Sequence, residues 1–249
     1  MITDTIMIMT ITITTATRIM TTDRLHLLRL QAWLSPAFPI GGFSYSHGLE
    51  QAAALGWVHD RETLVDWLDT DLRYGAGRTD AILLAAAYRA VAASGDGIAE
   101  IAELAAALRG TSELALESTT QGISFLATIR KAWPHQTLDD LHILMASNRT
   151  TPTFPVVVGA ACAAHGIPLP LALQFTLHAV VANYVNASLR LIKMGQTDGQ
   201  HAIAALEDAV IETAREALEA SLDDIGSASL SVDIASMRHE TQYSRLFRS

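Results

Sequence analysis

"TFPVVV", residues 153–158, is the stretch on which the fold turns. Its aromatic and β-branched run is the one segment that could pass for a buried strand. A lone strand has no ladder partner for its backbone N–H and C=O groups, so it cannot close a sheet. The flanking residues fit a helix instead. Pro155 suits a first turn, "GAACAA" carries it on, and Gly166 stops it. With this segment read as a helix, the chain is all-α.

Its neighbours have the same punctuation. Asp23 can cap a helix through Leu25, Leu28 and Leu34 that Pro36 ends. Asp60 caps the next, with Leu64, Trp67, Leu68 and Leu72 on one face and Gly75 and Gly77 closing it. Thr79 to Ala93 ends at Gly95, and Ile98, Ile101, Leu104 and Leu108 mark a helix stopped by Gly110. Ser112 opens a long helix that ends before Pro134, and Thr137 with Asp140 forms the pattern of a capping box. Pro170 begins the most apolar helix, whose lack of a wide polar face predicts a place at the centre of the bundle. Thr197 and Gln200 read as a second box, for a helix running to about Ser221. The expected architecture is an all-α, single-domain bundle of about eight to ten helices, given usual lengths of roughly 11–12 residues.

Residues 1–19, "MITDTIMIMTITITTATRI", stand apart. The alternation suits a strand that nothing else in the chain could pair. Asp4 and the absence of a basic start argue against a signal peptide, and the segment is too short and too polar to span a bilayer. It reads as a disordered leader before a domain over 20–249 that starts at Met20.

A formal charge of −9 disfavours nucleic acid and anionic membrane, which need clustered Lys and Arg. A single cysteine, Cys162, excludes a disulfide framework within the chain and points to a reducing, cytoplasmic setting; among alanines and valines it reads as a buried, inert thiol. His165 beside Gly166 suits a helix C-terminus that welcomes positive charge, and His178 reads as a core histidine. The chain has no Walker-type phosphate loop, GxGxxG turn, HExxH or G-x-S-x-G elbow. Catalysis has no evident home.

One stretch is unlike the alanine-rich helices: "PAFPIGGFSYSHGLE", residues 36–50. Tyr45, His47 and Glu50 could supply a proton donor, a base and a carboxylate, with Asp198 as a further ligand in an enzyme or metal-binding reading. Equally, the stretch is a loop with a helix start at Ser44 or Ser46, in which Gly41 and Gly42 provide backbone freedom and Phe38 and Phe43 plug the core.

"LSPAFPIGGFSYSHGLEQA" (34–52) resembles the signature of the urease accessory protein UreF family. "NASLRLIKMGQTDGQ" (186–200) and "HETQYSRLFRS" (239–249) are similar to two further stretches of it. The resemblance covers about Leu25 to Ser249. It implies an all-helical, homodimeric, non-catalytic chaperone of nickel metallocentre assembly. Such a protein binds UreD/UreH, recruits the GTPase UreG to the urease apoprotein, and leaves nickel and GTP to its partners. No catalytic or metal residue is expected in this chain. Tyr45, His47, Glu50, Gln196, Gln200, Tyr243, Arg245 and Arg248 become candidate partner-binding residues.

Charge adds a detail. Residues 198–224 carry eight acids against Arg215, whereas Arg238, Arg245 and Arg248 face only Glu240 from Met237 onward. The small residues of "GSASLSVDIAS" bury little area, so the tail from about 226 to 249 is expected to be loose until a partner buries Tyr243, Leu246 and Phe247.

Overall fold

The computed structural model describes residues 24–249; the leader read over residues 1–19 lies outside them. No strand occurs among the described residues. The helices are α1 (24–33), α2 (Leu49–Ala54), α3 (Arg61–Tyr74), α4 (Ala76–Ala93), α5 (Ile98–Ala107) and α6 (Ser112–Ala132). They continue with α7 (Gln136–Asn148), α8 (Phe154–Ala164), α9 (Leu169–Ser188), α10 (Gln196–Ala205), α11 (Glu207–Glu219) and α12 (Leu230–His239).

"TFPVVV" is helical, the start of α8. Residues Pro155 to Cys162 are all buried, so this helix has no solvent face and packs chiefly on α4 and α6. A run that is apolar all round must be enclosed on every side. Glycines let the neighbours come close. A Cβ on Gly159 would collide with the carbonyl oxygen of Leu84 on α4, and one on Gly122 of α6 with that of Pro152. Cys162 is fully buried, and that burial pushes its thiol up to about 12.

Helix α9 packs on α2, α3, α4, α8, α10 and α11, as a central helix does, but α8 is the more enclosed of the two. Pro170, His178 and Asn186 on α9 are exposed, so His178 is not the core histidine expected. Helix α9 carries few charges because much of its outer side lines a cavity, which dispenses with a polar face.

Several helix ends differ from the sequence reading. The Asp60 cap is present as a box with Thr63. Gly77, however, lies inside α4, where a Cβ would meet the Leu72 Cα at 2.8 Å; it allows a tight α3–α4 corner rather than ending a helix. At α7 the cap is His135, whose Nδ1 accepts the Thr137 N–H at 3.3 Å, and Asp140 takes no part in it. The helix expected from Thr197 to about Ser221 is two, divided at the buried Leu206, and the Gly195 N–H donates to Asp198 at 3.2 Å. His165 ends α8 with its pKa lowered by burial and by the charge of Arg29, so the neutral ring, not the cation, is favoured there.

The glycine contacts give a direct test. Gly159→Ala and Gly122→Ala are each expected to lower stability by about 1–3 kcal/mol or more, because overpacking moves backbone. Gly110, with nothing near its would-be Cβ, is the control and should change by less than about 0.5 kcal/mol. Urea unfolding followed by circular dichroism measures all three.

Candidate functional site

Helix α1 ends at residue 33, before Pro36, and the chain turns inward at Phe38. Its ring sits 5.1 Å from that of Phe125 and 6.3 Å from that of Trp133, so it plugs the core as expected. Gly41 then takes a left-handed φ of 75° and leads a 3-10 turn over Gly42–Ser44. Here the reading of Phe43 as a second plug fails: the ring is 69 % exposed. The backbone beneath it is fixed from outside, since Asn183 Nδ2 donates to the Gly42 carbonyl at 3.3 Å and Arg190 Nη2 to that of Phe43 at 2.8 Å.

His47 and Gly48 are both left-handed, at φ 55° and 78°, so His47 and Glu50 do not follow one another at helical spacing. For a non-glycine residue this costs on the order of 1–3 kcal/mol and needs support from its surroundings. Gly48 has a second duty. A Cβ there would meet the Ser236 N at 2.8 Å, so α12 lies directly against the start of α2.

That approach brings the end of the described chain onto Glu50. The carboxylate is 8 % exposed and accepts the N–H groups of Leu246 at 2.7 Å and Phe247 at 2.8 Å, with His239 Nε2 at 3.3 Å. Hydrogen bonds to a charged acceptor are worth about 1.5–3 kcal/mol each. Two backbone bonds extend the seam: Arg248 N–H to the Ser44 carbonyl at 2.9 Å and Ser46 N–H to that of Ser249 at 2.8 Å. Phe247 is buried, with the Arg190 guanidinium 4.1 Å over its ring. The composition of 226–249 suggested a segment with little to hold it. The structure places α12 and a seated stretch there, held by polar partners that an estimate from apolar area does not count.

Helix α6 supplies the other side. Glu113 pairs with His239 Nδ1 at 2.6 Å and with Arg245, and Ser249 Oγ donates to Glu117 at 2.6 Å. His47 Nδ1 lies 3.7 Å from Glu117, and its ring is 5.2 Å from that of Tyr184. Burial alone would lower the His47 pKa; the Glu117 carboxylate, helped by Asp71 and Asp80, more than offsets this and raises it. Asp71 is buried as well, and that burial raises its pKa against the pull of His47 and the Ala76 N–H.

The sequence candidates thus separate. Tyr45, His47 and Glu50 are buried; they shape the seam and offer no surface of their own. Tyr243, Arg245 and Arg248 are exposed beside it. Gln196 and Gln200 are exposed on α10, which packs on α3, α9 and α11. Asp198 caps its own helix 4.0 Å from Arg61, so the proposed ligand set with Tyr45, His47 and Glu50 is not assembled. Glu113, Glu117, Arg190 and His239 were missed. Acids on the apolar face of α6 were the available sign.

A family model for UreF matches residues 58–207. A urease accessory protein UreF of Rhodopseudomonas palustris (strain TIE-1) is 51 % identical over 224 residues, which is 90 % of this chain and 92 % of the relative. The chain belongs to the UreF family. The UreF of Bradyrhizobium diazoefficiens is also 51 % identical over 224 residues, 90 % of this chain and 91 % of that one. Another, from Bradyrhizobium sp. (strain BTAi1 / ATCC BAA-1182), is 50 % identical over 228 residues, covering 91 % and 93 %. No described helix is long and apolar enough to cross a membrane.

The buried His47 gives a measurable consequence. A pKa raised above 6.5 means that its stabilising contribution is present in full below pH 6.5 and is lost as pH rises through the folded value. Glu117→Gln leaves burial as the main influence, so the His47 pKa should fall toward or below 6.5. Histidine-selective NMR titration of both proteins reads this, and an unchanged value would remove Glu117 as the cause.

Proposed function

We propose that this protein serves urease maturation as a non-catalytic scaffold. In this reading the seam between the 36–50 loop and residues 240–249, together with UreD/UreH, recruits the GTPase UreG to the urease apoprotein for nickel insertion. One observation carries it: two stretches almost two hundred residues apart, each unlike the rest of the chain, are joined through Glu50 into one face that exposes Tyr243, Leu246 and Arg248. Membership of the UreF family supports the maturation role. The arrangement of Glu50 supports the non-catalytic part, because a carboxylate already bound to two backbone amides and a histidine is committed to structure. A cytoplasmic homodimer that leaves nickel and nucleotide to its partners completes the proposal.

Co-purification of the full chain with UreD/UreH, UreG and apo-urease tests it. Tyr243→Ala and Arg248→Ala are expected to weaken assembly and urease activation by roughly tenfold each without changing the fold, as exposed interface anchors do. Glu50→Ala should weaken it more, because the Leu246 and Phe247 amides lose their acceptor at a cost of about 1–3 kcal/mol each. Normal assembly by all three variants would overturn the reading. Tight stoichiometric nickel binding by the chain alone, measured by equilibrium dialysis, would favour a metal-binding protein instead.

Two finer points belong to the same proposal. The tail tightens on its partner, so exchange of amides 240–249 should slow on adding UreD/UreH; equal protection in both states would remove this point. The arginines serve docking rather than hydrolysis, since Arg245 is held by Glu113 and the backbone of Arg248 is tied to the Ser44 carbonyl. Arg248→Ala is therefore expected to leave single-turnover GTP hydrolysis by bound UreG within a few-fold, whereas an arginine acting on the transferring phosphate would be worth about 10³–10⁵.

A further inference from the structure

We infer that the cavity mouth beside Phe43 receives a protein segment in which an apolar side chain is flanked by Asp or Glu. The inference rests on the scaffold reading and deepens it by stating the chemistry of the partner.

Three observations lead there. The first is Phe43 itself. An exposed aromatic ring is ordinary when it stands alone, but this one, 69 % exposed, borders an apolar cavity and so joins a continuous apolar opening. The backbone that presents it is not free to fold it away. Three consecutive carbonyls, of Gly42, Phe43 and Ser44, are bound by Asn183, Arg190 and the Arg248 N–H. A ring on so fixed a backbone loses little freedom on binding, which is the property of an interface anchor.

The second is the space beside it. A cavity of about 530 Å³ opens between α1, α4, α6 and α9, with Phe43 and Arg190 among its lining residues. Its walls include Phe38, Leu114, Phe175 and Ala179. This is room for apolar side chains and lies within the roughly 300–1,000 Å³ of ordinary binding pockets.

The third is charge. Arg190 and Arg248 are exposed and have no carboxylate partner among the described residues. Arg190 lines the cavity and lies over Phe247, and Arg248 is tied to the same loop by its N–H, which donates to the Ser44 carbonyl next to Phe43. The acids lining the cavity are already engaged: Asp80 holds Arg109 at 2.7 Å, and Glu117 takes the Ser249 hydroxyl and the Gln121 amide. The unanswered charge at the mouth is therefore positive in a chain whose net charge is −9. Guanidinium groups beside an apolar opening suit carboxylates carried on a peptide, which can pair in a planar, bidentate way.

The test uses the full chain with p-benzoylphenylalanine at position 43, assembled with UreD/UreH, UreG and apo-urease and irradiated. The expected product is a crosslink to a partner peptide with at least one Asp or Glu within a few residues of the apolar attachment site. Phe43→Ala should weaken assembly tenfold or more while its unfolding midpoint stays that of the parent, because the ring is exposed. Arg248→Gln should weaken binding and flatten its dependence on salt. Crosslinking to a second copy of the chain, crosslinking to a segment without acids, or full affinity in Phe43→Ala would each overturn the inference and leave the scaffold reading standing. Failure of the parent chain to assemble at all would instead defeat the scaffold reading, and this inference with it.

Discussion

A single buried carboxylate organises the seam between the 36–50 loop and residues 239–249. Glu50 lies at the start of α2, where Gly48 lets α12 come into contact, and it is shielded from water by the segment whose amides it binds. Each side of this arrangement depends on the other. Without the amides of Leu246 and Phe247 the charge would lose most of its compensation for burial, and without the charge those amides would lack an acceptor. The loop at 36–48, the start of α6 and the stretch from 239 to 249 are consequently one cooperative unit.

Behind that unit stands a different kind of constraint, which is closeness. Helix α8 is enclosed because Gly159 and Gly122 remove the side chains that would hold α4 and the 152–153 backbone away. This packing fixes α4, and α4 in turn carries Asp80 and floors the cavity that separates α6 from α9. Apolar burial fixes the scaffold; paired charge fixes the face mounted on it.

The two kinds of order were not equally legible in the sequence. Periodicity showed the helices, and "TFPVVV" could be assigned by asking where a strand would find its hydrogen bonds. Residues that act through local geometry, such as Asp60 before Thr63, were also readable. What escaped depends on tertiary proximity. Phe43 and Phe38 are alike in sequence context, yet one plugs the core and the other stands in solvent, because the left-handed Gly41 between them reverses the chain. Glu117 falls on the apolar face of α6, a sign that it has partners, but the sequence does not say that these are His47 and Ser249, or that Glu113 beside it meets His239 and Arg245. The three quoted motifs do not tell which of their side chains meet solvent: Tyr45, His47 and Glu50 are inside.

The separation of Glu50 from Phe247 has a kinetic meaning. They are 197 positions apart, so during synthesis the carboxylate is made long before the amides that will cover it. At about 5–20 residues per second this interval lasts roughly 10–40 seconds, ample for the helical core to form first. Until residues 246 and 247 emerge, Glu50 must keep its hydration, and the seam cannot close. The seam is thus a late event in the birth of the molecule, and a chain interrupted before that point would have a folded body whose Glu50 carboxylate stays open to water.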